Sequence, residues 1–337
     1  MAKKGVTKEG FTKANVARQY RDKYGMEMPI RTLARILIHN EPLVFKDFED
    51  ARGFLRKIEG KSGGKGHITV THPYPKREIN PYKLPESDER DWQPFILKDA
   101  KRVGLLSDIH VPYHSISAIT AGIDKFIQFG IDTLILNGDI IDCYTLSRFE
   151  KDPRKRNFSE ELDIFANLIK SLKDALNCRI VYKLGNHEER YDNFLLRKAP
   201  ELFGIPELSL EMLINQRTGL EIEIIKDKRI IQANALDIIH GHEFAQGFFS
   251  PVNIARGLAL RAKTNAIQGH NHQTSEHTEK DLRGEIKTTW STGCCCELHP
   301  EFMPINKWNH GFAILELDNA SREFSLENFR VVNGKAM

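Results

Sequence analysis

Three features are scarce or absent in this sequence, and each absence excludes a class of protein. Only five of its 337 residues are cysteine, three of them adjacent, and no Cys-x-x-Cys pair occurs. Neither a disulfide framework nor a zinc ribbon is therefore expected. No apolar run approaches the length of about 18 residues that spans a bilayer. The basic start, MAKKGVTKEG, is not followed by an apolar segment, so we expect no signal peptide and a reducing cytoplasm.

The net charge of +3 hides an uneven distribution of charge along the chain. Residues 1–66 carry 15 Lys and Arg against 8 Asp and Glu, whereas the remainder carries 34 against 38. A basic amino-terminal segment on a mildly acidic body favours a polyanionic partner such as nucleic acid. The same composition also fits a solvated helical surface, so both interpretations stay open.

The pattern of apolar residues and turn formers divides the chain into three parts. Residues 1–60 form a small basic domain with predicted helices at 12–23, 29–39 and 46–58. The first two helices flank a tight turn, which allows a helix-turn-helix unit. Residues 61–94 are rich in glycine and then proline, which is typical of a linker or an extended arm. Residues 95–337 form the third part.

Strand and helix patterns alternate at the start of this third part. Strands are predicted at 102–107, 132–137 and 179–184, with helices at 117–129 and 159–176 between them. A strand–helix–strand alternation implies parallel strand pairing. After residue 220 the sequence is rich in strand patterns, interrupted by a helix predicted at 252–263. We therefore expect an α/β fold of two packed sheets with helices outside.

Five short polar clusters lie between residues 108 and 272, and four of them directly follow an apolar, β-branched run. They read SDIH, NGDIID, LGNHEE, IIHGHE and QGHNH. This placement puts them at the carboxyl ends of strands, where open α/β sheets build their sites. The candidate metal ligands in these clusters are Asp108, His110, Asp139, Asn186, His240, His270 and His272.

Carboxylate, amide and imidazole ligands without a thiolate suit Mn, Fe, Zn, Co or Ni, and we expect Mn first. Seven ligands are too many for one ion that must also leave room for a substrate. Two divalent ions about 3.5–4 Å apart, with one carboxylate bridging them, can use all seven ligands. Such a pair can clamp a phosphate and activate a bridging water.

The ordered set of clusters resembles the signature of the calcineurin-like metallophosphoesterase superfamily. The resemblance implies a two-sheet sandwich flanked by helices, in an α-β-β-α arrangement. It implies one ion held by Asp108, His110, Asp139 and His272, and a second held by Asp139, Asn186, His240 and His270. His187 would protonate the leaving oxygen or bind the phosphoryl group, with Asp142 orienting it. His242 is an alternative to His240, which we prefer because it closes the apolar run LDII.

The second cluster departs from the pattern of the Ser/Thr phosphatases in this superfamily. Those enzymes usually carry an arginine after the second aspartate, and here Cys143 and Tyr144 follow Asp142. Arg148 is a candidate replacement. The double histidine of QGHNH is the form common in phosphodiesterase and nuclease branches, which favours a diester, because a diester carries one negative charge fewer than a monoester. Trp308 and His310, between two late strands, are candidates for substrate contact.

These observations predict a phosphodiesterase that acts on nucleic acid or nucleotides through a metal-activated hydroxide, with His187 assisting the leaving group. A phosphomonoesterase, including a Ser/Thr protein phosphatase, is the first alternative. The second is a module that binds nucleic acid or protein, with the phosphoesterase domain as scaffold. The overall layout also resembles metallophosphoesterases of phage and bacterial genomes, so we expect the cytoplasm of a bacterium or an infected host and no membrane partner.

Overall fold

The computed structural model describes residues 8–60, 80–90, 92–152, 154, 157–244 and 252–337. The chain divides into two compact units, Met1–Glu89 and Arg90–Met337. Most of the predicted linker at 61–94 lies outside the described residues. Within the described part, no helix is long and apolar enough to cross a membrane.

Three helices form the described core of the smaller unit, and they confirm the predicted helical region. They are α1 (Lys8–Tyr24), α2 (Ile30–Asn40) and α3 (Phe48–Ile58). Each helix turns an apolar stripe toward a common cluster that includes Ala17, Leu33, Leu37 and Leu55. The carboxylate of Asp47 caps α3 by accepting a hydrogen bond from the main-chain N–H of Asp50.

The first sheet of the larger unit has seven strands, and its centre is parallel as predicted. Four strands run parallel: β2 (Arg102–Leu106), β3 (Thr133–Asn137), β4 (Arg179–Lys183) and β5 (Glu223–Ile225). Three antiparallel strands continue the sheet beyond β2, namely β11 (His310–Asp318), β12 (Glu323–Val332) and β13 (Lys335–Ala336). The parallel strands end side by side, because Leu106 pairs with Leu136 and Leu136 pairs with Tyr182.

The second sheet has six strands. Their order is β1 (Phe95–Ile96), β6 (Ile231–Ala233), β7 (Leu236–Ile238), β8 (Ala266–Gln268), β10 (Ile286–Ser291) and β9 (Ser275–Lys280). Strands β7 and β8 are parallel, so they too end at one edge. Apolar side chains of the two sheets meet in one buried cluster, which contains Val103, Leu105 and Ile135 of the first sheet and Ile231, Ile238 and Ile267 of the second.

Helices cover the outer faces of both sheets. They are α4 (Ile116–Phe129), α5 (Phe158–Leu176), α6 (Glu189–Lys198), α7 (Leu210–Thr218) and α8 (Ile254–Ala262). Phe126 of α4 and Phe165 of α5 pack in the cluster that holds Leu106, Leu136 and Tyr182 of the first sheet. On the second sheet, Leu258 of α8 packs with Ala266 and Ile239. This four-layer arrangement confirms the predicted fold class.

Helix α6 and strand β9 lie outside the predicted elements. Helix α6 buries only Tyr191, and β9 reads SEHTEK without a large apolar residue. Strand β9 therefore has no apolar period for sequence analysis to detect, whereas the apolar face of α6 at Tyr191, Phe194 and Leu195 was missed.

Candidate metal centre

The five polar clusters lie at strand ends, as their positions in the sequence suggested. Asp108 is two residues beyond β2, Asp139 two beyond β3 and Asn186 three beyond β4. His240 and His270 each follow a strand of the second sheet by two residues. Because the strands end together in each sheet, side chains from distant parts of the chain meet at one place.

The backbone at this place is unusual. Five of the seven predicted ligands have a positive φ, between 50° and 66°; they are Asp108, His110, Asp139, His270 and His272. Left-handed residues are uncommon outside glycine, cost free energy and gather at functional sites. The neighbouring glycines are also constrained, since a Cβ at Gly185 would overlap the Asp139 carboxylate. The fold therefore retains strained backbone where it brings the donor groups together.

Asp139 stands at the centre of the donor groups. Its Oδ2 atom lies 3.2 Å from His240 Nε2 and 3.9 Å from His110 Nε2. Two sets of donor atoms share this residue, one with Asp108 and His110 and the other with His240 and His270. Within each set the donor atoms lie within 4.8 Å of one another. A carboxylate common to two such sets is suited to bridge two cations.

Several donor atoms lack the hydrogen bonds that buried polar atoms normally make. Asn186 Oδ1, His240 Nε2 and His270 Nδ1 are buried and make no hydrogen bond with the described residues. In addition, His272 Nε2 lies 3.3 Å from His110 Nε2 and 3.1 Å from Asp108 Oδ1, so these acceptor atoms converge on a space that requires a proton or a cation. The residues present therefore fit divalent metal ions of the kind that imidazole and carboxylate ligands prefer.

Hydrogen bonds to neighbouring groups orient the rings of His240 and His110 toward the other donor atoms. The Nδ1 of His240 donates to the main-chain oxygen of Asn137 at 2.7 Å, and the Nδ1 of His110 donates to Asp142 Oδ1 at 3.0 Å. Both rings therefore turn Nε2 inward, as metal-binding histidines commonly do. The competing candidate, His242, instead pairs with Glu189 at 2.9 Å.

The electrostatics of the centre favour positive charge within it. Burial opposes protonation of His240, but the Asp139 and Asp108 carboxylates outweigh burial and raise its pKa to about 10. Burial, followed by the charge of His240, lowers the pKa of His270 to about 4. The buried carboxylates thus stabilise positive charge on His240, and a divalent cation would be stabilised by the same negative field.

His187 lies beside the centre, between Asp142 and an arginine that sequence analysis did not select. Its Nδ1 donates to the main-chain oxygen of Asp142 at 2.9 Å and lies 3.0 Å from Asp142 Oδ1. Burial lowers the pKa of His187, but the carboxylates of Asp139 and Asp142 outweigh this effect and leave it raised. Arg190 Nη2 donates to His187 Nε2 at 2.8 Å, so this nitrogen cannot carry a proton while that bond lasts.

Sequence analysis also missed the role of Glu188, the residue after His187. Its side chain is 1% exposed, and its two oxygens accept five hydrogen bonds. The donors are the main-chain N–H groups of Asp139, Ile140, Ile141 and Gly185 and the hydroxyl of Tyr182. One carboxylate therefore joins the loops that follow β3 and β4. The only signal in the sequence was the acidic pair that ends LGNHEE.

A cleft of about 920 Å³ opens onto the donor groups. Its lining includes the aromatic residues Tyr113, Tyr144, Phe149, Phe302 and Trp308 and the carboxylates Glu150, Asp152, Glu297 and Glu301. The ring of Trp308 lies 4.1 Å from that of His272. Arg190 is the only Lys or Arg among the described residues of the lining.

The structure does not bring two of the predicted substrate-binding residues into this lining. Arg148 is exposed, with its guanidinium group 5.2 Å from the centre of the Phe149 ring. His310 uses its Nε2 to hydrogen-bond the main-chain oxygen of Cys296 at 2.9 Å. Of the three predicted residues, only Trp308 lies in the cleft.

Comparison with known proteins agrees with the sequence motifs. The family model for calcineurin-like phosphoesterases matches residues 101–289. No curated protein matches the chain. The fold is similar to vacuolar protein sorting 29 from Cryptosporidium parvum (13% identity, 71% of this chain and 95% of that chain, TM-score 0.39). It is also similar to Yfce, a phosphoesterase from E. coli (14% identity, 67% and 98%, TM-score 0.33), and to a dimetal phosphatase from Danio rerio (11% identity, 70% and 98%, TM-score 0.35).

Proposed function

The chain belongs to the calcineurin-like phosphoesterase family, a family of metal-dependent hydrolases of phosphoric esters, and on this premise we propose that it hydrolyses phosphodiesters of nucleotides or nucleic acid. The charge balance of the cleft is the observation that carries the choice of a diester. The alternative is a phosphomonoesterase, including a protein phosphatase.

The side chains that surround the metal centre favour a substrate with one negative charge on its phosphate over a substrate with two. Six carboxylates line the cleft: Asp139 and Asp142 belong to the metal centre, Asp152 pairs with Arg154 at 2.7 Å, Glu301 also interacts with Arg154, and Glu150 and Glu297 are the other two. Arg190 is the only Lys or Arg among the described lining residues. Because like charges repel, a dianionic monoester is disfavoured more than a monoanionic diester. The aromatic lining also offers a surface for the second ester group.

The residues divide into two ligand sets and a proton-transfer group. Asp108, His110, Asp139 and His272 would hold one ion, and Asp139, Asn186, His240 and His270 the other. Bound divalent ions, manganese by our expectation, would supply neutralisation of the phosphoryl charge and a water of lowered pKa.

His187 is proposed to hold a proton on Nε2 for the leaving oxygen, with Asp142 fixing the ring through Nδ1. This role requires Arg190 to release His187 Nε2. A phosphoryl oxygen is a stronger acceptor for the guanidinium group than a neutral imidazole, so substrate binding would provide that release.

The test compares kcat/KM for bis(p-nitrophenyl) phosphate and p-nitrophenyl phosphate, with manganese supplied. We expect the diester to be turned over faster, and we expect the Asp139→Asn variant to lose both activities, which controls for a contaminating phosphatase. Faster turnover of the monoester would overturn the choice of a diester. The absence of both activities in the metal-loaded wild type would overturn the wider proposal.

A further inference from the structure

Helix α2 of the smaller unit presents a polar face that no described part of the unit covers. Leu33, Ala34 and Leu37 point into the core. The exposed positions are Arg31, Thr32, Arg35, His39 and Asn40. Spacings of four and eight residues place Arg31, Arg35 and His39 in one stripe along the helix. We term Arg31, Arg35 and His39 the α2 stripe.

Among the described residues, no carboxylate pairs with the positive charges of the α2 stripe. Helix α2 contains no Asp or Glu, and Arg31 and Arg35 form no ion pair or hydrogen bond with the described side chains. On the other two helices, Lys13 pairs with Asp50 and Arg52 pairs with Glu49. The stripe is therefore free to bind a polyanion.

The order of helix, short turn and helix is that of a helix-turn-helix unit. Helix α1 ends at Tyr24, a short turn follows with Gly25 at a φ of 72°, and α2 begins after Pro29. Helix-turn-helix proteins place the second of two such helices in the major groove, with the residues of its first turns against the base edges. Arginine, threonine and asparagine are side chains that contact bases and phosphates there.

We propose that the α2 stripe binds duplex DNA in the major groove, which gives the chain a DNA-binding site made of residues outside the metal centre. Duplex RNA does not fit the same contact, because the major groove of an A-form helix is too narrow for side chains to read. The proposal does not depend on the hydrolytic reaction.

The test measures the fluorescence anisotropy of a labelled DNA duplex of about 20 base pairs with the full-length chain. A chelator is present, so that hydrolysis cannot interfere. We expect the wild type to bind with an affinity that falls steeply between roughly 50 and 200 mM salt. Arg31→Gln/Arg35→Gln keeps the side-chain stems and should weaken binding by about tenfold or more. It should also lower the slope of log affinity against log salt by about 2.

The matched control is Lys46→Ala/Lys57→Ala, which removes the same charge from exposed positions at α3. It should weaken binding by less than about threefold, because only long-range attraction is lost. Circular dichroism checks that both variants keep the helix content of the wild type. If Arg31→Gln/Arg35→Gln unfolds, the single Arg35→Gln variant decides, with an expected slope change of about 1.

Three results would overturn the proposal. The first is that the wild type does not bind duplex DNA. The second is that the control variant loses as much affinity as the α2 variant, which would show unspecific attraction to a basic unit. The third is that duplex RNA competes as well as duplex DNA.

Discussion

Replacement of Glu188 by glutamine is the sharpest test of how the metal centre is assembled. The change keeps the size of the side chain and removes its charge and one of its two acceptor atoms. In the wild type, Oε1 accepts from Ile140, Ile141 and Tyr182, and Oε2 accepts from Asp139 and Gly185. The glutamine oxygen can serve the first three donors. Its NH₂ group then faces the N–H groups of Asp139 and Gly185, which are left without an acceptor.

The structure sets the size of the expected loss. Hydrogen bonds to charged groups contribute about 1.5–3 kcal/mol each, and a buried donor left unpaired costs a similar amount. Loss of the two bonds at 3.0 and 2.7 Å should therefore lower the free energy of unfolding by about 3–6 kcal/mol. Both loops that carry metal ligands would also loosen, so manganese affinity should fall.

Urea unfolding followed by tryptophan fluorescence measures this loss. All three tryptophans, Trp92, Trp290 and Trp308, belong to the larger unit, so the signal does not report on the smaller one. A chelator removes the contribution of bound metal to stability. The matched control is Glu189→Gln at the next position, where the side chain is 34% exposed and pairs with His242. Its cost should stay below about 1 kcal/mol.

If Glu188→Gln lowered the free energy of unfolding by less than about 1 kcal/mol, the reasoning would be refuted, because two buried hydrogen bonds to a charged group should contribute more than this. Equal losses in the Glu188 and Glu189 variants would refute it as well, since the effect would then come from the acidic pair and not from burial.

Three further predictions concern other parts of the larger unit. His240→Ala should remove one of two bound manganese ions, whereas His242→Ala should leave both. Metal analysis of the purified variants measures this. The opposite result would make His242, and not His240, the metal ligand. Burial and then the Asp142 carboxylate raise the pKa of Glu161 to about 8 from 4.5. The folded chain therefore keeps a proton that the unfolded chain releases, so the stability of the wild type should fall between about pH 4.5 and 8. Glu161→Gln should remove this fall in urea unfolding, and an unchanged pH profile would contradict it. Trp308→Ala should raise KM for bis(p-nitrophenyl) phosphate about 2- to 10-fold through loss of an aromatic contact of 0.5–1.5 kcal/mol, with kcat little changed; an unchanged KM would exclude Trp308 from substrate contact.

The local pattern of the sequence was enough to predict the architecture and the place of the site. Apolar, β-branched runs separated by helical segments predict parallel strands, and parallel strands end at a common edge. Asp108, Asp139 and Asn186 directly follow such runs, so they could be placed together from their positions alone. Strand β9 could not be predicted, because SEHTEK carries no apolar period.

Only the tertiary structure decided which side chains support the donor groups and which line the cleft. Glu188 joins main-chain groups up to 49 positions away, a contact that depends on the conformations of two loops. Arg190, and not Arg148, lies in the cleft, because α6 begins beside Asp142 and directs its first turn toward His187. Strand ends are set by a local period that can be read along the chain. The reach of a side chain across loops is set by how distant segments pack, and no local pattern encodes it.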